Sequence, residues 1–314
     1  MRLTIPNLNL RQIALSGQCF RWKRIDTDIV CDEDAVHKYD NGDNIYDTYV
    51  IPPYGPKQRE FAPLVISAVG EGTDEFELSC NSVDWYGHWS KYLDMDTDYD
   101  AVRERIMASK DAHLIEAYNY GSGVRILRQD TWEMIITFLI SQNNNITRIT
   151  RSVDEICRRH SHLTVDSSPG VGDDKGVSES YNPPFFPRPY EFDVDIIRDK
   201  SVGLGYRVPY IEKAIEVFNE DDKLLARLED MSYEEAYETL VSMTGIGPKV
   251  ANCICLFGLH HIEAFPIDTH VKQLLDKYYA KGFPYERYEG IAGIIQQYLF
   301  YYELKESNNK RPTR

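Results

Sequence analysis

The stretch Met243-Thr244-Gly245-Ile246-Gly247-Pro248-Lys249-Val250-Ala251, continued by Phe265-Pro266-Ile267-Asp268-Thr269-His270, decides the reading of this chain. A helical period that begins near Tyr233, behind the capping pair Ser232 and Glu235, stops at Met243. A turn with two glycines follows, then an apolar helix from Lys249 to about Leu259. Gly245 and Gly247 are expected to allow positive φ and a close approach of the backbone to another molecule. Their amides, with the next helix's N-terminus, form a concavity suited to a DNA phosphate. Such a contact positions a duplex without reading its sequence. Ile246 is placed to plug the two helices together. Taken alone, a Gly-x-Gly turn between helices reads equally well as a purely structural device.

Two residues around the turn carry chemistry. Lys249 falls in the first turn of a helix, where the positive end of the dipole disfavours an ammonium and an apolar cleft would do the same. A nucleophilic amine needs that treatment. The plainer reading is a solvated lysine, or one that meets a phosphate. Asp268 lies nineteen residues on and is placed as the N-cap of a helix carrying Val271, Leu274, Leu275 and Tyr278. As a simple cap it needs no further role. Beside Lys249 it becomes an ionised carboxylate next to a cationic transition state, an arrangement that suits glycosidic bond cleavage.

Working outward, 314 residues suit two or three compact units, and 42% hydrophobic content with 12% aromatics is enough to bury a core. No stretch approaches the roughly 20 apolar residues of a membrane span, and the start lacks a secretory pattern. The expectation is an intracellular protein of the cytoplasm or nucleoid, or of the nucleus in a eukaryote. Cys19, Cys31, Cys80, Cys157, Cys253 and Cys255 include no CxxC pair and no cluster for zinc or iron–sulfur. A net charge of −15 argues against a nucleic-acid partner, because phosphate neutralisation dominates such affinities. The charge is uneven, however: residues 1–120 hold 12 Lys/Arg against 21 Asp/Glu, whereas 121–160 hold 6 against 4. An acidic shell around a locally basic cleft can still bind DNA, with strong salt dependence.

Gln18 to Ile25, Asn44 to Ile51, Pro63 to Val69 and Glu75 to Cys80 read as strands between turn clusters. Helical periods begin at Trp85. Asp130 with Glu133 is expected to form a capping box for the helix carrying Ile135, Ile136, Leu139 and Ile140, which ends at Ser141-Gln142-Asn143-Asn144-Asn145. Ser161 to Pro189 reads as a mobile loop or insertion, and Lys305 to Arg314 as a frayed tail. The fold expected is α+β: an N-terminal antiparallel β-sheet domain (1–99) followed by two all-α subdomains. One spans 124–231, and the other, built from 100–123 and 232–304, contains the helix-hairpin-helix. The active site falls in the cleft between them.

The hairpin with its terminal Asp268 resembles the helix-hairpin-helix of DNA glycosylases, and a lysine at the hairpin exit resembles the branch that also nicks the strand. Ser16-Gly17-Gln18-Cys19-Phe20-Arg21-Trp22, Gly123 to Asp130, Ser141 to Arg148, Leu204-Gly205-Tyr206-Arg207 and Ala251 to Leu256 resemble one family, the 8-oxoguanine DNA glycosylases. Those matches run in family order from residue 7 to about 304.

The resemblance implies a duplex substrate carrying 8-oxoguanine opposite cytosine, a flipped base, a Schiff base at Lys249, β-elimination and a monomeric enzyme. It implies that Asn143, Arg148 and Arg207 hold the orphaned cytosine, where amide and guanidinium groups make bidentate contacts. For Asn143 a helix-terminal turn is an equally good local reading. Tyr206 matches the wedge at the gap, or is a core tyrosine. Gly17 matches the residue whose carbonyl accepts from the N7 hydrogen that 8-oxoguanine has and guanine lacks. Cys253 and Phe300 match the two faces of the base sandwich, Gln296 the contact to its Watson–Crick edge, and His270 a phosphate contact. Phe300 could equally be helix core. No cofactor is implied, save a structural monovalent cation at the hairpin 243–248. Gln142 departs from the family pattern, where a small residue is usual. The runner-up is an alkylated-base glycosylase, which would lack the lysine. From another class, a non-catalytic lesion-binding protein would bind the damaged duplex and release no base.

Overall fold

Alternation sets the sheet. In Glu75–Leu78, Phe76 and Leu78 are buried and Glu75 is exposed, the period-two pattern of a strand with one face on a core. The computed structural model describes residues 1–25, 46–70, 72–165 and 183–309. Its strands are β1 (Arg2–Thr4), β2 (Lys23–Ile25), β3 (Tyr46–Ile51), β4 (Leu64–Ala68) and β5 (Glu75–Leu78). They form an antiparallel sheet in the order β1-β5-β4-β3-β2, with Leu3 opposite Phe76 and Ile51 opposite Leu64. Its buried face packs with Ile5, Ile13, Trp85 and Trp89 as a core of its own.

Two features of the sheet differ from the sequence reading. Strand β1 went unforeseen because three residues with one apolar side chain carry no pattern. The expected strand at Gln18 begins only at Lys23, because Gln18 is pinned in a buried loop. Its Nε2 donates to the Arg125 carbonyl at 2.8 Å, and its Oε1 accepts from the Leu127 amide at 2.9 Å. Its own carbonyl accepts from Gln129 Nε2 at 2.8 Å. Those bonds replace a strand ladder and fix the loop against the helical part of the chain.

The helices share a second core, organised around Thr131–Ser141, which is buried from Thr131 to Ile140 and so is covered on every side. Asp130 caps it by accepting from the Glu133 amide at 2.8 Å. The expected capping box does not close, because the Glu133 carboxylate turns instead to Arg21 at 2.7 Å in a buried ion pair. The box at Ser232 and Glu235 does close.

The ends of the Ser161 to Pro189 segment are not a loose loop. Ser161 to Val165 complete the helix Ile146–Val165, while Gln58 Nε2 donates to the Phe186 carbonyl at 2.7 Å and Trp132 Nε1 to that of Pro187 at 2.9 Å. Residues 166–182, and Cys31, lie outside the described residues. The helix Ala292–Asn309 runs on through much of the expected tail; 310–314 also lie outside the described residues. Among the described residues, no helix is long and apolar enough to cross a membrane.

Candidate active site

Helix Tyr233–Ser242 ends at Met243, and helix Pro248–Phe257 begins behind Gly247 as N-cap, with Pro248 at its first position. Ile246 is buried between them at 4% exposure, so the hairpin is plugged into the core. Gly245 has φ +85°, and a Cβ there would lie 2.4 Å from Tyr210 Cγ, so no other residue fits without movement. Gly247 differs from expectation. Its φ is −91°, an ordinary value dictated by the N-cap, and no atom lies within 4 Å of a Cβ built there. Its contribution is open backbone at a helix start rather than an unusual dihedral.

Lys249 occupies the first turn of Pro248–Phe257, half-buried, with its Nζ 5.3 Å from the centre of the Phe138 ring. One turn further along the same helix is Cys253, 3% exposed. Burial pushes the Cys253 thiol up, the Lys249 ammonium beside it pulls the other way, and the Asp268 carboxylate adds to the push. Those three groups therefore share one electrostatic neighbourhood. Asp268 is the N-cap of Thr269–Tyr278, its Oδ1 accepting from the Val271 amide at 2.8 Å. His270 is half-buried two residues beyond it.

A second group converges from helix Ala292–Asn309. Gln296 is 4% exposed; its Nε2 donates to the Pro266 carbonyl at 3.1 Å, which ties it to the strand of chain leading to Asp268. Its Oε1 is buried with no partner among the described residues. Phe300, one turn on, is half-buried and lies against Gly17: a Cβ on Gly17 would come within 3.2 Å of the Phe300 ring and 3.8 Å of Ile146 Cδ1. Gly17 has φ +76° and sits in the loop held by Gln18 and by Gln297, whose Nε2 donates to the Ser16 carbonyl at 2.6 Å. Gly17 and Phe300, in contact with each other, thus come from the two ends of the described chain.

The third group surrounds the end of helix Thr131–Ser141. Asn143 adopts φ +47° and donates from Nδ2 to Tyr206 Oη at 3.1 Å. Tyr206 is 51% exposed, which removes the core-tyrosine reading. Arg207 is buried; its guanidinium donates to the carbonyls of Gln142 and Asn143 and lies 4.6 Å over the Tyr206 ring. Arg148 is set apart, exposed in the first turn of Ile146–Val165. Sequence reasoning missed Phe138, Ile146, Gln18 and Gln297 as site components. Buried glutamines in apolar surroundings were the available signal for the last two.

Comparison with known proteins gives the family. Residues 1–135 match the model of the 8-oxoguanine DNA glycosylase N-terminal domain. An N-glycosylase/DNA lyase of Saccharomyces cerevisiae is 32% identical over 291 residues, covering 87% of this chain and 68% of that protein. This chain belongs to the 8-oxoguanine DNA glycosylase family. Among solved structures, MBOgg1 in complex with a low-affinity DNA ligand superposes with a TM-score of 0.74 at 29% identity, over 96% of this chain and 94% of that one. The Clostridium acetobutylicum 8-oxoguanine glycosylase/lyase, bound to duplex DNA with cytosine opposite the lesion, gives 0.73 at 25% identity over 96% and 93%. A 3-methyladenine DNA glycosylase from Archaeoglobus fulgidus shares the fold alone, at 0.66 and 18% identity over 98% and 99%. The runner-up reading thus keeps the architecture of this 8-oxoguanine DNA glycosylase family member and loses the family.

Proposed function

We propose that this chain excises 8-oxoguanine from duplex DNA through a Schiff base at Lys249 and then nicks the strand by β-elimination. The observation that carries it is Lys249 at a helix start, half-buried one turn before the buried Cys253, whose thiol feels both the Lys249 ammonium and the Asp268 carboxylate. The Lys249 nitrogen bonds to the anomeric carbon as the glycosidic bond breaks, and the bonding pair leaves with the base. Asp268 stabilises the positive charge that develops on the sugar. Ring opening gives the imine, and loss of a C2′ proton then expels the 3′ phosphate.

Gly17, Phe300 and Cys253 would line the place that receives the flipped base. Phe300 and Cys253 would take its two faces, and the unpartnered Oε1 of Gln296 would accept from a guanine-type Watson–Crick edge. The Gly17 carbonyl would accept from the N7 hydrogen of the oxidised base. Arg207, Asn143 and Arg148 would hold the orphaned cytosine, with Tyr206 in the gap. Gly245, Gly247 and His270 would face the phosphate backbone. The hairpin 243–248 offers a cation its backbone oxygens and the Thr244 hydroxyl, and the Gly245 carbonyl already accepts from Gln142 Nε2 at 3.1 Å. A monovalent ion there would be structural and outside the chemistry. The enzyme is proposed to act as a monomer inside the cell. Base release and nicking on duplexes with 8-oxoguanine opposite each of the four bases test this reading. Wild type is expected to act best opposite cytosine and Lys249→Gln to release no base; normal turnover by the variant would overturn it.

A further inference from the structure

The Gln142 side chain joins two parts of the candidate site that are far apart in sequence. Its Nε2 donates to the carbonyl of Gly245 in the hairpin, 103 residues away in sequence, at 3.1 Å. Its own carbonyl accepts from Arg207 Nε at 2.9 Å and from Tyr206 Oη at 3.2 Å. Tyr206 meets Tyr210 edge to face, with ring centres 6.3 Å apart at 82°. Tyr210 in turn lies where a Gly245 side chain would be. The contacts close a ring: Gln142, Gly245, Tyr210, Tyr206 and back to Gln142.

We infer that Gln142 is a specificity-determining positioning residue, the amide that sets the distance between the opposite-base readers and the hairpin carrying Lys249. The inference rests on the glycosylase reading above. Asn143 and Arg207 follow or bond the Gln142 backbone, so their placement is that of the turn. Lys249 lies four residues past Gly245, so its helix start is that of the hairpin. The Gln142 side chain is the link in the ring that bonds the hairpin directly, and it keeps the two groups in register. A blurred register penalises the correct opposite base more than a mismatched one, whose contacts are poor already.

The test is single-turnover base release from duplexes with 8-oxoguanine opposite cytosine and opposite adenine, beside the thermal midpoint of each protein. Gln142→Met keeps the length and removes the donor; Gln142→Glu keeps the shape and sets a carboxylate against the Gly245 carbonyl. The cytosine-over-adenine rate ratio is expected to fall about fivefold or more in the Met variant, the lower end of a typical coupling, and further in the Glu variant. A general loss of stability, or repulsion of the phosphates, would lower both rates together and leave the ratio unchanged. An unchanged ratio in both variants overturns the inference, whatever happens to the midpoint, and so does a wild-type ratio near one. Wild type that discriminates beside variants that discriminate equally overturns only the role of Gln142, whereas wild type inert on both duplexes overturns the glycosylase reading as well.

Discussion

Asp268 caps a helix, and under the proposed function it also stabilises charge on the sugar; one substitution separates the two. Its Oδ1 caps helix Thr269–Tyr278 through the Val271 amide, and its charge reaches the Cys253 thiol. Asn caps a helix about as well as Asp, so Asp268→Asn is expected to melt close to wild type, whereas Asp268→Ala loses about 1 kcal/mol. Base release should nonetheless fall about a hundredfold in the Asn variant, the scale of removing one aimed electrostatic group. Equal base release by Asp268→Asn and wild type would leave the carboxylate as a cap alone. The cap was legible in the sequence from position and residue type. The neighbourhood it shares with Cys253 was not, because it depends on where a separate helix packs.

At the level of elements, the hairpin was the most legible part of the chain, since its signals are local: a capping pair, two glycines, a proline and an apolar run. The two glycines, alike in sequence, nevertheless have different reasons to be there. Gly245→Ala meets the Tyr210 ring and a left-handed backbone, and is expected to lower unfolding free energy by about 1–3 kcal/mol. Gly247→Ala has open space and an ordinary φ, so stability should stay within about 0.5 kcal/mol while DNA affinity drops. Denaturant titration and binding to a duplex measure the two separately; equal destabilisation by both would contradict the assignment. Gln18 was read as the start of a strand, because the bonds that prevent a strand come from residues over a hundred positions away. Local pattern carries no trace of such partners.

For the whole molecule, charge was the least informative sequence feature. A net of −15 lowered the expectation of a DNA partner in a chain that belongs to a DNA glycosylase family, since a total does not say which surface meets the duplex. Acid stability has a clearer source. Burial pushes the His88 imidazole, stacked between Tyr54 and Phe61, down to about 4 from 6.5, and pushes His113, His160 and His261 the same way. Between about pH 6.5 and 4 the unfolded chain therefore binds protons that the folded chain refuses. Stability rises with pH across that window and is lost on acidification. His88→Phe, which keeps a ring in the stack, is expected to flatten the fall of the thermal midpoint between pH 7 and 4.5; an unchanged slope would contradict it. The central claim, a nucleophilic amine at the start of the hairpin's second helix, has a still more direct test. Borohydride reduction during reaction with an 8-oxoguanine duplex should trap a covalent protein–DNA adduct, and mass spectrometry should place the link on Lys249. A link on any other amine, or no adduct while base is released, would contradict the account.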